Sequence, residues 1–259
     1  MAQNLYSERQ IALIRSAGRI VAECLAAVKA IAVVGSTTRE MDRAVARVIA
    51  SHGAKSPFLH YAFPGKKPFP ANLCASVNNC VVHGVPDDTL LKEGDLVSID
   101  CGVQLEGYIG DSAWTFPIGE PDPAAKRLLT AGEESLWVGI EACKPRGKIA
   151  EIGRAIQTFV EGRGYSVVRE FVGHGVGLSL HEEPQVPNYV DLKAPSNILN
   201  KTLRPGMVIA IEPMVNEGGL EVESDDGKWP VTTKDGRRSV HFEHTVAVLD
   251  GRIEILTLP

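Results

Sequence analysis

The chain has 259 residues, 44% hydrophobic and 23% charged, which is ordinary for a soluble globular protein and ample for a buried core. A formal net charge of −5 excludes an overall basic surface, so no DNA partner is expected. No run of about 18 apolar residues exists to cross a membrane, and the start M-A-Q-N-L-Y-S-E-R has no apolar core and reads as no signal peptide. The five cysteines are odd in number and lack C-x-x-C spacing, which fits reduced thiols in the cytoplasm.

Ile11, Ile14, Val21, Leu25 and Val28 recur on one helical face and predict a helix over residues 7–34, stopped by Gly35. Thr38 is placed to cap a second helix over 39–52, ended at Gly53. Strands are expected over 71–85 and 95–118, with G-V-Q-L-E-G as the turn region inside the second. Helices over 123–142 and 149–163 follow, then strands near 166–182, 206–216 and 239–257. Pro and Gly clusters mark loops at 64–70, 184–187 and 225–236.

That order is a repeat. L-K-E-G-D-L-V-S-I-D at 91–100 matches L-R-P-G-M-V-I-A-I-E at 203–212, 112 residues later. E-M-D-R-A-V from Glu40 matches E-I-G-R-A-I from Glu151, 111 residues later, and a glycine follows each, at Gly53 and Gly164. Two matches at nearly one offset predict two halves of like topology, about 7–118 and 123–257. No low-complexity linker separates them, so one α+β domain over 1–259 is expected, its halves sharing a sheet with helices outside.

Charged residues interrupt the apolar strands at five places: Asp100 in V-S-I-D-C-G, Asp111 in Y-I-G-D-S-A, His174 in V-G-H-G-V-G, Glu212 in I-A-I-E-P-M and Glu243 in H-F-E-H-T. Burying a lone charge is expensive, and four neighbouring carboxylates raise one another's pKa. Two divalent cations would balance them. Glu212 and Asp100 end the two copies of the repeat, which would bring one acid from each half to a common axis. Spacing alone leaves open whether Asp100 and Asp111 share a face, since the turn sets register. The glycines around His174 would let backbone approach a metal closely. Carboxylates with one imidazole suit Mn, Fe, Co or Zn, and a metal pair activates water for hydrolysis of an amide or phosphate ester.

His83 in V-V-H-G-V-P and His181 in L-H-E-E-P are either surface-loop histidines or partners for a scissile amide and its oxyanion. H-E-E-P is not H-E-x-x-H, which excludes a zincin. His241 and His244 flank Glu243 and read as support for it.

N-x-x-V-V-H-G-V-P, I-D-C-G…G-D, G-H-G-V-G…H-E-E-P, I-E-P-M and F-E-H-T stand in one order along nearly the whole chain. In this the chain resembles the type I methionine aminopeptidases, whose fold is the creatinase-like, or pita-bread, fold. The resemblance implies that Asp100, Asp111, His174, Glu212 and Glu243 hold two divalent ions (Co, Mn, Fe or Zn), with Glu212 also handling the proton of the attacking water. It implies that His83 meets the scissile amide nitrogen and His181 the substrate carbonyl. Phe63, Cys74, Met214 and Trp229 would form the wall of a methionine pocket, and Asn78 and Ser239 a site for Na or K. The substrates would be nascent polypeptide N-termini with a small, uncharged second residue, met at the ribosome by a cytoplasmic monomer. Two features depart from the family pattern: a longer segment F-P-G-K-K-P-F-P-A-N-L-C, and His60 where an aromatic residue is expected. The competing readings are an X-Pro aminopeptidase or prolidase, which usually carries an extra N-terminal domain, and a non-catalytic binding protein, which usually loses ligands.

Overall fold

A computed structural model of the chain describes residues 4–190 and 200–259. Helix α1 (Glu8–Ile31) starts at Ser7, whose side chain and that of Gln10 cap each other's backbone, and it buries Ile11, Ile14, Val21 and Val28. It ends ahead of Gly35, because the apolar period stops at Val28 and the chain turns to hydrogen-bond Leu91 through Gly35 and Ser36. In α2 (Thr38–Ser51) the cap is Thr37 rather than Thr38: the Glu40 carboxylate accepts from the Thr37 amide, while Thr38 is buried and bonded to the Asp87 backbone. Helix α3 (Pro123–Ala142) opens on Asp122 with proline in its first turn, and α4 (Ile149–Glu161) has Glu151 accepting from the Lys148 amide.

The first half adds strands β1 (Cys74–Val77), β2 (Cys80–Val82), β3 (Leu96–Leu105) and β4 (Tyr108–Pro117). In the second half come β5 (Ser166–Val167), β6 (Gly173–Gly175), β7 (Glu182–Val186), β8 (Val208–Ile211) and β9 (Met214–Asn216). Five more follow: β10 (Val222–Ser224), β11 (Val231–Thr233), β12 (Ser239–His241), β13 (His244–Val248) and β14 (Ile253–Ile255). Two expected loops carry strand: Pro184 lies in β7, an edge strand where its missing N–H is harmless, and β11 falls inside 225–236. The strands expected near 166–182 are short, β5 and β6, with β7 beginning at Glu182. The turn of the β3–β4 hairpin is only Glu106–Gly107, both left-handed at φ 50° and 85°, so β3 runs on through Leu105.

All strand pairs among the described residues are antiparallel, in four sheets ordered β1-β3-β4, β10-β11-β2, β12-β9-β5 and β14-β13-β8-β6-β7. The β2–β11 pair joins the halves, and Glu243 donates its amide to the Ala113 carbonyl while Ser112 donates its hydroxyl to the Glu243 carbonyl. The ladders break at Glu212–Pro213, where proline offers no N–H, and at Phe242–Glu243. The isolated bridges Thr37–Leu90 and Lys148–Thr202 stand 111 and 112 residues apart, and Gly94 and Gly206 share a left-handed φ of 84° and 94°.

The helices cover the outside. Val21, Val28, Met41 and Val45 pack on Val97, Ile99 and Val103 in one half; Leu128, Leu136, Ile152 and Ile156 pack on Ile209, Ile211 and Val246 in the other. Trp114 packs against both cores and meets Phe242 edge-on at 5.0 Å. Full burial of a side chain such as Phe242 contributes about 2–3 kcal/mol. Helix α1 lies against β4 at Gly18 and Gly110: a Cβ on Gly110 would sit 2.7 Å from the Gly18 Cα, so only glycine permits this approach.

Candidate metal centre and its surroundings

Cross-strand register decides what spacing left open. Asp100 faces Ala113 and Gly102 faces Asp111, so both carboxylates stand on one face of the β3–β4 hairpin. Asp111 is fixed from the other half: its amide donates to Thr245 Oγ1 at 3.0 Å, and that hydroxyl donates to the Asp111 carbonyl at 2.7 Å. Glu212 and Glu243 occupy the two breaks in the ladders, where the chain leaves strand pairing and can turn its side chain inward. Asn188 Nδ2 holds the Glu212 carbonyl at 3.0 Å. His174 Nδ1 lies 3.0 Å from the Gly175 carbonyl, a bond that needs Nδ1–H and leaves Nε2 as a lone pair. That Nε2 is 3.3 Å from Glu212 Oε1, and His241 Nε2 is 3.5 Å from Glu212 Oε2. The glycines around His174 serve the neighbouring strands: a Cβ on Gly173 or Gly175 would meet the Ala210 or Glu183 carbonyl. Ligand atoms of Asp111, His174 and Glu243 all lie within 4.8 Å of one another.

Among the described residues no Lys or Arg pairs with these four acids. Asp100 Oδ1, Asp111 Oδ1 and Glu243 Oε1 are buried without a hydrogen-bond partner. Burial, then repulsion among the acids, holds the Asp100 and Glu243 carboxyls well above the usual range. Burial chiefly pushes Asp111 and Glu212 up to about 8. Burial also holds His83, His174 and His241 down at about 3 and His244 at about 4, all neutral. Orphaned acceptors, clustered acids and a neutral imidazole are the donor set that hard-to-borderline divalent cations take, so the residues fit metal.

This sets the pH response of the metal-free protein. Between about pH 6.5 and 8 the folded chain keeps protons on Asp111 and Glu212 that the unfolded chain has released, so stability falls as pH rises through that window. The buried histidines act in the opposite direction, but only below their ordinary 6.5. The slope is about 1.4 kcal/mol per pH unit for each proton involved. Calorimetry of chelated protein should show Tm dropping from pH 6.5 to 8, with Mn suppressing the drop. A flat or rising Tm would contradict this charge balance.

His83 follows β2 with a left-handed φ of 60°, and its ring meets Phe171 at 5.4 Å and Trp229 at 6.1 Å, edge to face. His181 stacks edge-on to His174 at 4.5 Å and to Tyr61 at 5.4 Å. Of the expected pocket wall, Phe63 is half exposed and meets Trp229 at 6.4 Å, and Cys74 is buried in the cluster that Trp229 packs on. Met214 lies in a separate cluster with Val82 and Phe171. Phe69 and Phe171 were not singled out from sequence; Phe69 is buried and closer to Trp229 than Phe63 is, at 5.3 Å. Tyr61, one residue past His60, also escaped notice. The Asn78 side chain is spent on Asp95 and the Leu96 amide, and its carbonyl accepts from the Ser239 amide at 2.9 Å.

The loop carrying His181 is tied down beside it. The Glu182 carboxylate accepts from the Leu178 and Ser179 amides, from Tyr6 Oη and from Asn4 Nδ2, each at 2.8–2.9 Å. Burial, and then that carboxylate, push the Tyr6 hydroxyl up to about 12.

The family model for metallopeptidase family M24 matches residues 12–250. The chain belongs to that family. Methionine aminopeptidase 1 of Bacillus subtilis is 45% identical over 249 residues, 96% of either chain, and the Escherichia coli K12 methionine aminopeptidase is 42% identical over 100% of this chain and 95% of its own. The solved methionine aminopeptidase of Thermotoga maritima superposes with a TM-score of 0.93 at 36% identity, covering 100% of both chains. The Pyrococcus furiosus prolidase superposes at 0.77 with 23% identity over 66% of its length, a likeness of fold alone. The M24 chain described here therefore has the pita-bread fold and is a metallopeptidase. No helix of the described residues is long and apolar enough to cross a membrane.

Proposed function

We propose that the chain is a methionine aminopeptidase that removes the initiator methionine from proteins whose second residue is small and uncharged. The observation that carries this is the set of buried, unpartnered carboxylates beside His174, in a chain alike end to end with methionine aminopeptidases. Asp100, Asp111, His174, Glu212 and Glu243 would hold two divalent ions, of Co, Mn, Fe or Zn. Bound there, the ions supply a water nucleophile at neutral pH and polarise the amide carbonyl. Glu212, whose carboxylate faces His174 and His241, would take the proton given up by the attacking water. His83, neutral and walled by Phe171 and Trp229, meets the scissile nitrogen, and His181 donates to the substrate oxygen.

Trp229 and Cys74, with Phe69 beside them, offer an apolar, polarisable wall to the thioether, with Phe63 at its exposed edge and Met214 beyond Phe171. Asn78 and Ser239 would hold a Na or K ion through their adjoining backbone, where the Asn78 carbonyl accepts from the Ser239 amide. The matching bridges and left-handed glycines support one domain built as a pseudo-repeat. The setting is the cytoplasm, acting as a monomer on nascent chains at the ribosome. With added metal, Met-Ala-Ser should release methionine, whereas Met-Arg-Ser and a Xaa-Pro peptide should not. Equal turnover of the first two would refute the specificity, and cleavage of Xaa-Pro would assign the chain to the prolidase-like branch.

A further inference from the structure

Two neighbouring histidines in this centre face opposite hydrogen-bonding partners through the same atom. His174 Nδ1 faces a carbonyl oxygen, which can only accept, so its proton sits on Nδ1. His181 Nδ1 lies 2.8 Å from Tyr61 Oη, a phenol that can donate. A neutral imidazole carries one ring proton, and the partner of one nitrogen fixes the state of the other. A phenol donating to Nδ1 places the ring proton on Nε2. Among the described residues, that Nε2 has no hydrogen-bond partner of its own. An N–H there is what a substrate oxygen gathering negative charge requires; the opposite tautomer would present a lone pair.

The chain holds Tyr61 firmly for this task. Phe69 donates its amide to the Tyr61 carbonyl at 3.0 Å, and His60 donates to the Phe69 carbonyl at 2.7 Å, a two-bond clasp across the segment 60–69. Ser56 closes the base, donating to the Asn72 carbonyl and accepting from the Phe58 amide. At the tip, Trp229 Nε1 donates to the Lys67 carbonyl at 2.8 Å, anchoring this first-half segment to the second half.

We infer that Tyr61 is a positioning residue that donates to His181 Nδ1 and thereby keeps His181 protonated at Nε2, ready to donate to the substrate carbonyl oxygen. The inference rests on the role proposed for His181, so its test reads the tautomer separately from the rate. In Zn-loaded protein, ¹⁵N–¹H spectra of the ring nitrogens should show His181 as the Nε2–H tautomer and His174 as Nδ1–H. Tyr61→Phe should turn the His181 signal into a tautomer mixture and lower kcat by about tenfold, with KM within about twofold. On a His181→Ala background, Tyr61→Phe should cost nothing further. An unchanged Nε2–H signal in Y61F overturns the inference, and so does an equal loss of kcat on the H181A background. If H181A alone keeps the parental kcat, the role of His181 fails, and the spectrum of Y61F still decides whether Tyr61 sets the tautomer.

Discussion

Asp100→Asn is expected to abolish peptidase activity while leaving the metal-free protein folded and no less stable. Burial, then repulsion from Asp111 and Glu212, holds the Asp100 carboxyl well above the usual range, which favours its neutral form without metal. Asparagine has the same shape and the same charge as that acid, so the metal-free Tm should stay within a few degrees. Once divalent ions are added the comparison reverses. The parent releases its protons and gains stability by mass action; the variant lacks one of the charges that balance the ions. Metal polarisation is worth several kcal/mol at the transition state, and its loss lowers the rate by a factor on the order of 10³ or more. Chelation of the parent should give the same loss, and Mn, Fe or Co should restore the parent only. Appreciable turnover by D100N with its metal content confirmed near zero would sink the metal-dependent scheme. A large fall in its metal-free Tm would show that Asp100 is ionised and held by something other than its neighbours.

His181→Ala should lower kcat by about 10²–10³ while KM changes little. A donor to the developing oxyanion acts chiefly in the transition state, whereas ground-state binding would rest on the proposed apolar wall around Trp229 and Phe69. Metal content should be unchanged, because Asp111, His174 and Glu243 converge without His181. Loss of one ion per chain in H181A would make His181 a ligand and reverse its division of labour with His174. A rate within about threefold of the parent would leave His181 with a packing role only.

The candidate ligands were legible because each interrupts a stretch that otherwise reads as apolar strand, and a charge survives there only with a partner. The four helices were legible from the 3.6-residue period, yet their ends were not. Thr37 and Thr38 are equally good caps on paper, and only the reach of Glu40 and the burial of Thr38 against Asp87 separate them. The shared face of Asp100 and Asp111 depends on a two-residue turn whose first member, Glu106, adopts a left-handed conformation that its side chain does not advertise. Tyr61, Phe69 and Phe171 were missed for a related reason. They come from irregular segments, where no periodicity says which side chain turns inward, and the rings they meet, His181 for Tyr61, Trp229 for Phe69 and His83 for Phe171, lie far away in the chain.

The Glu182 knot has a bearing on how this enzyme can be handled at the bench. Asn4 and Tyr6, close to the amino end of the described chain, are two of the four groups gripping the carboxylate next to His181. An affinity tag, fusion partner or protease scar that pulls on this end therefore pulls on the loop that carries His181, and a kinetic deficit caused by cloning would be indistinguishable from one caused by a site mutation. The far terminus is tied in as well: Pro259 is exposed, but the Thr257 hydroxyl bonds His244 Nδ1 at 2.8 Å and accepts from the amide of Thr245, the residue that fixes Asp111. Quantitative comparison of variants is sounder with any handle removed from both ends.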